Sequence, residues 1–189
     1  MKFFDREGEL ADLVAPFLKP SWTVLDVGAG DGRLSSYVAA RTGAAITLCN
    51  LGPRSESRQT CLPMSSPTVL PCADKAYHVV MMAFVLHHME SAGEQELLLK
   101  EALRVARQRL IILEDTAVGP LERLANRAFD YCLNAPYGVS CPFTYRSTDA
   151  WIATLERIGF RECHFRTFRG TWPNLKAYTQ SVIVAEPNQ

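Results

Sequence analysis

The chain has 189 residues, of which 48% are hydrophobic and 21% charged, and its formal net charge is zero. These values exclude a disordered or fibrous chain and fit one globular domain able to bury about 70% of its unfolded surface. The charge balance gives no case for nucleic acid or an anionic membrane as partner, because both call for a basic surface.

Read in chain order, residues 1–20 hold an amphipathic helix. Leu10, Leu13, Val14, Phe17 and Leu18 fall at helical spacing and Pro20 stops the run. The start carries charges and no apolar core of leader length. Trp22 to Val27 is a short apolar run, read as a buried strand, and it enters three glycines at alternate positions, Gly28, Gly30 and Gly32. Glycines there allow a sharp turn and let backbone amides approach a ligand closely. Arg33 to Arg41 is compatible with a helix, and Gly43 sits where its C-terminus would want it. Ala45 to Cys49 reads as a second strand, ending at Asn50. Residues 52–71 are polar, with Pro53, Pro63 and Pro67 and no sustained period.

Val79 to Ala83 is apolar on both faces, as a central parallel strand should be. Ser91 and Glu94 form a capping-box signature for a helix carrying Leu97, Leu98, Ala102, Leu103 and Val105. Leu110 to Leu113 is a further strand, ending in Glu114 and Asp115. Leu121 to Leu133 reads as a helix. Ser147 can cap a helix from Thr148 to Ile158, closed by Gly159. Two apolar stretches follow, Phe160 to Phe168 and Ala177 to Ala185. Alternating strands and helices imply an α/β fold with a doubly wound, mostly parallel sheet and helices on both faces. Ligands of such sheets sit at the carboxyl ends of the strands.

The glycine turn separates nucleotide-binding chemistries. The dinucleotide fingerprint requires a third glycine where this chain has Arg33, and the phosphate-cradling loop requires a Gly-Lys-Ser or Gly-Lys-Thr that occurs nowhere. What remains is Asp26-Val27-Gly28-Ala29-Gly30-Asp31-Gly32 after a strand. This segment resembles the first motif of class I S-adenosylmethionine-dependent methyltransferases. Leu70-Pro71-Cys72-Ala73-Asp74, running on through Tyr77 and His78 to Val80, is similar to the segment that precedes the family's fourth strand. Ala83-Phe84-Val85-Leu86-His87-His88 resembles the leucine-histidine ending common in the family's small-molecule enzymes.

The resemblance implies a Rossmann-like methyltransferase fold with a seven-stranded sheet whose last strand is antiparallel. It implies S-adenosylmethionine as cofactor, held by Asp26, Gly28, Ala29 and Gly30 at its methionine half. Asn50 stands where an acid would normally grip the ribose hydroxyls; an amide bonds a diol without the charge. Leu51 could pack on the adenine, Ala73 and Asp74 could meet its amino group, and the Ala83 and Phe84 carbonyls could take the ammonium. His78 replaces a second family acid.

His87 and His88 are the general-base candidates, since an imidazole near neutral pKa can accept a substrate proton; the alternative is a capping or packing role. Glu114 and Asp115 lie on the same rim and could bind an amine, act as base, or cap the next segment. Tyr137, Phe143, Tyr145 and Arg146, within a lid or insert over 116–146, could close on a substrate or belong to the core. Six cysteines without a paired motif suggest reduced thiols in a cytoplasmic protein, with no metal site. The expected function is methyl transfer to an oxygen, nitrogen or carbon nucleophile of a small molecule, with neither nucleic acid nor membrane as partner. The alternative is a cofactor-binding protein that has lost catalysis and serves as a regulator or partner subunit.

Overall fold

The computed structural model describes residues 5–51, 60–116, 118–138, 140–169 and 179–188. Helix α1 spans Arg6–Val14, capped by the Asp5 carboxylate on the Gly8 amide. Strand β1 (Thr23–Val27), helix α2 (Arg33–Thr42) and strand β2 (Ala45–Leu51) follow, with Gly43 closing α2 in the left-handed region. Strand β3 is short, Cys61–Met64. Strand β4 (Tyr77–Ala83) leads into a single 3-10 turn, Leu86–His88. Helix α3 (Ala92–Val105) passes directly into strand β5 (Ala106–Asp115). Helix α4 (Gly119–Asn134) and helix α5 (Thr148–Ile158) precede strands β6 (Phe160–Phe168) and β7 (Gln180–Pro187).

The seven strands form one sheet in the order β3-β2-β1-β4-β5-β7-β6. The first five are mutually parallel, and β7 runs antiparallel to both β5 and β6. The expected seven strands and antiparallel last strand are therefore present. Side chains alternate across the sheet and make two cores. Leu25, Val27, Val80, Met82, Leu110 and Ile112 pack with Leu98, Leu99 and Ala102 of α3 and Trp151 and Leu155 of α5. Val24, Val79, Met81, Ile111 and Leu113 face the other way, onto Leu10, Ala11 and Val14 of α1 and Val38 of α2. Each central strand is buried on both faces, which explains its continuous apolar sequence.

The short, irregular segment expected between Gly52 and Pro71 yields β3; residues 52–59 of it lie outside the described residues. Both helix caps read from the sequence form. Ser91 accepts from the Glu94 amide at 3.2 Å, and Ser147 from the Ala150 amide at 3.2 Å. β1 pairs with β2 on one side and β4 on the other, so chain direction through the sheet reverses at β1. That switch leaves a crevice above Val27 and Ala83, where ligands of open α/β sheets bind.

Candidate active site

The glycine turn forms the crevice floor. Gly28, Gly30 and Gly32 take φ of 70°, 61° and 76°, conformations costly for any residue with a side chain. Gly28 is also sterically constrained, because a Cβ there would meet Val85 Cγ2 at 2.4 Å. Its amide donates to the Cys49 carbonyl at 2.7 Å, tying the turn to β2. Asn50, at the end of β2, braces the turn from the side. Its Oδ1 accepts from the Gly30 amide and its Nδ2 donates to the Gly30 carbonyl, both at 3.0 Å.

Asp26 lies two residues before Gly28, 1% exposed. Oδ2 accepts from the Ser35 hydroxyl of α2 at 2.5 Å, while Oδ1 has no hydrogen-bond partner among the described residues. Burial pushes its carboxyl up to about 7 against the opposing pull of Ser35.

Above this floor opens a cleft of about 550 Å³. Gly28, Gly30, Asn50 and Leu51 line one side, Phe84, Val85 and His88 the other, with Asn134 and Ser140 on the rim. Leu51 is 59% exposed, an apolar platform beside the opening. Phe84 holds a left-handed φ of 58° without being glycine. Its amide donates to the Leu113 carbonyl at 2.8 Å and its ring lies under the Arg6 guanidinium at 4.6 Å. Such strain persists only where the surroundings over-determine it, and it gathers at functional sites.

Beyond Phe84 the 3-10 turn presents two histidines to a buried acidic cluster. Glu114 Oε1 accepts from the Val85 and Leu86 amides at 2.9 and 2.7 Å, and Oε2 lies 2.6 Å from His87 Nδ1. His87 Nε2 faces Asp130 Oδ1 at 3.7 Å. Burial opposes the charge on His87, but Glu114 and Asp130 overcome it and raise the ring to about 10, so it is an imidazolium at neutral pH. Asp130 is held by the Asn134 amide at 2.7 Å and the Tyr145 hydroxyl at 2.8 Å, and the Tyr145 ring stacks on His87 at 5.2 Å. His88 Nδ1 lies 2.8 Å from the Ser140 carbonyl, which can only accept, so Nδ1 carries the hydrogen and Nε2 is left with its lone pair. Burial, and then His87, lower the His88 pKa.

The candidates drawn from the sequence thus separate. Gly28, Gly30, Asn50, Leu51, Phe84 and His88 meet at the cleft, with Ala29 inside the turn and Ala83 ending the strand beneath it. His87, Glu114 and Tyr145 stand directly behind. Ala73 and Asp74 do not reach it. They precede β4 and so lie at its opposite end, about 20 Å away at 3.3 Å per strand residue; Asp74 is exposed and pairs with Arg104 at 2.8 Å. His78 is at that same far end, accepting from the Thr23 amide and stacked on Trp22. Asp115 is buried and accepts from Gln180 of β7. Arg146 braces the inside of the fold, donating to Gln95 and Thr154 at 2.7 Å with its guanidinium over Trp151. Phe143 is half-buried beside Arg127. The Tyr137 side chain lies outside the described residues. Ser35, Asp130, Asn134 and Ser140 were not anticipated; the only sequence signal was their nearness to α2 and α4.

Residues 25–112 match the family model for a methyltransferase domain. The fold around that match is the Rossmann-like fold of class I methyltransferases. S-adenosylmethionine is the cofactor that this assignment implies, and the residues present suit it: a turn of bare glycine Cα atoms, a buried carboxylate oxygen without a partner, and an apolar platform at Leu51. Solved structures share the fold at low identity. A SAM-dependent methyltransferase from Methanosarcina mazei matches 100% of the chain over 99% of its own length, with 16% identity and a TM-score of 0.70. The Haloferax volcanii methyltransferase solved with its Trm112 activator matches 97% over 89% of its length, at 12% identity and 0.71. The cyclase SpnF matches 96% over 80%, at 15% identity and 0.70. No protein of curated function matches the chain. Among the described residues no helix is long and apolar enough to cross a membrane.

Proposed function

We propose that the methyltransferase moves the methyl group of S-adenosylmethionine to an oxygen, nitrogen or carbon nucleophile of a small molecule. One observation carries this reading: a single cleft is lined at one end by Gly28 and Gly30 and at the other by His88. The bound cofactor supplies an electrophilic methyl group already activated by its sulfonium. The chain's own task is orientation and exclusion of water, which can supply about 7–11 kcal/mol of barrier reduction. The glycine turn would hold the methionine half, with Asp26 offering its unpaired oxygen to the ammonium. Leu51 would cover the adenine. His88 would meet the acceptor, with the His87–Glu114–Asp130 cluster behind it drawing positive charge to that end of the cleft. The neutral overall charge and the narrow volume favour a small acceptor over a polymer. Among the described residues no cysteine lies in a disulfide, which suits a reducing compartment such as the cytoplasm.

Thermal unfolding with and without S-adenosylhomocysteine, with NAD as control, tests the cofactor. At 100 times its dissociation constant a ligand adds about 2.7 kcal/mol, or roughly 5–10 °C in a domain of this size. A shift with the sulfur nucleoside alone is expected. No shift at millimolar ligand would overturn the reading. A second reading, a cofactor-binding subunit that works through a partner protein, is favoured by the outward apolar stripe of α4, where Leu121, Leu124 and Tyr131 are exposed. It predicts the same thermal shift with no methyl transfer to any small acceptor.

A further inference from the structure

His87, His88 and Asp130 each bring one ligand atom within 4.8 Å of the other two. Two lie on the turn after β4 and the third on α4, so the fold, not a sequence motif, assembles the group. We infer that these three side chains bind a divalent first-row transition ion, with an open coordination position facing the cleft. Two imidazoles and one carboxylate are a donor set that zinc, iron(II), cobalt(II) and manganese(II) accept. Tetrahedral zinc wants its ligand atoms about 3.3 Å apart, so the widest gap must close by about 1.5 Å.

Three observations support the site beyond the cluster itself. The first is the outer ring of partners. Glu114 holds His87 at Nδ1 and the Ser140 carbonyl holds His88 at Nδ1, which leaves Nε2 as the ligand atom of each ring; His88 Nε2 has its lone pair, and His87 Nε2 would release its proton as the ion binds. Asn134 and Tyr145 fix Asp130. Metal-bound histidines are oriented by carboxylates and carbonyls in this way. The second is charge. Glu114 and Asp130 are both buried, and among the described residues both pair with the same imidazole, His87. Two buried carboxylates sharing one imidazole ring are acceptor-rich surroundings that a dication would complement. The third is access: His88, Asn134 and Ser140 line the cleft, so an ion here would face the methyl acceptor. Three protein ligands with a vacant position are the pattern of a catalytic rather than a structural site. An acceptor hydroxyl or enol drawn to that position would give up its proton to solvent more readily. The inference deepens the proposed function and depends on it for the acceptor, but not for the ion.

The test uses the full chain, stripped with chelator and titrated with zinc. Expected are one ion per chain by elemental analysis, micromolar or tighter affinity by calorimetry, and at least about 100-fold weaker binding in both His88→Ala and Asp130→Asn. Cobalt(II) should give visible d–d bands with no thiolate-to-metal band in the near ultraviolet. Metal binding unchanged in either variant, a thiolate band, or wild-type affinity no better than millimolar would each overturn the inference. The S-adenosylhomocysteine shift of the stripped protein separates the two ideas. A shift without metal binding leaves the cofactor reading standing and removes the ion, and metal binding without a shift does the reverse. The same shift in both variants confirms that they are folded.

Discussion

Asn50 commits both ends of its amide to Gly30, a role the sequence did not disclose. Its position, 24 residues beyond Asp26, suggested a hand for the ribose. Its geometry makes it a brace for the glycine turn. An acid at this position would keep the bond from the Gly30 amide but lose the donor, and would set a carboxylate against the Gly30 carbonyl. Leaving a buried group unsatisfied costs about 1–3 kcal/mol. Asn50→Asp is therefore expected to weaken S-adenosylhomocysteine binding by about tenfold, measured by calorimetry. Tighter binding would mean that the ribose, and not the turn, is this residue's partner. Asp74 teaches a related lesson. The loop from β3 to β4 runs from the carboxyl end of the sheet to the opposite end. Met64, which ends β3, and Pro67, just after it, therefore line the cleft, whereas residues just before β4 lie far below it. A linear motif reports the order of such residues and not the rim on which they fall.

Elements were legible where one period or one cap dominated. The two serine caps, the Gly43 and Gly159 stops and the apolar centre of β4 all read directly from the chain. β5 begins four residues earlier than its apolar run, because Arg107 and Arg109 extend the strand while donating to the Lys75 carbonyl and to Glu186. α4 is the least legible. The sequence marks it as a helix but not which face is buried, and Leu121 is 82% and Leu124 66% exposed. The inward face carries Glu122, Asn126 and Asp130 at intervals of four residues. Asp130 serves the histidine cluster, but the Asn126 amide is buried with neither atom hydrogen-bonded among the described residues. Replacing it with an apolar side chain of similar size removes that penalty. Asn126→Leu should stabilise the protein by about 1–2 kcal/mol, raising the melting temperature by roughly 2–6 °C in calorimetry. A lower melting temperature would show that the amide has a partner.

At the scale of the whole molecule, the sheet order does the assembling. Placing β1 between β2 and β4 brings Gly28, Asn50 and Phe84 to one rim, and β5 adds Glu114 behind them. The strand pattern announced that rim; the returning path of α4 and the Ser140–Tyr145 segment, which completes the site, had no local signature. Asp26 sits at the centre of this arrangement, and its burial links the site to the stability of the entire domain. Its carboxyl rises from an ordinary 3.8 to about 7 on folding, chiefly because burial disfavours the charge. Between those values the native protein holds a proton that the unfolded chain has released. Folding stability therefore falls as pH rises from about 4 to 7, by about 1.4 kcal/mol per unit and on the order of 4 kcal/mol in total. Such a cost is tolerable at a site that needs the ionised oxygen for a cationic ligand. Denaturant unfolding at pH 5 and pH 8 should show the wild type losing stability across this interval, and Asp26→Asn losing less by about 2.7 kcal/mol, the part of the effect that falls between pH 5 and 7. The ligand side of the argument follows from the same proton. S-adenosylhomocysteine, whose ammonium favours the carboxylate, should protect the wild type more at pH 8 than at pH 5, and Asp26→Asn should show no such gain. A variant with the wild-type pH slope would mean that Asp26 is already ionised in the native protein and paired by a group other than Ser35.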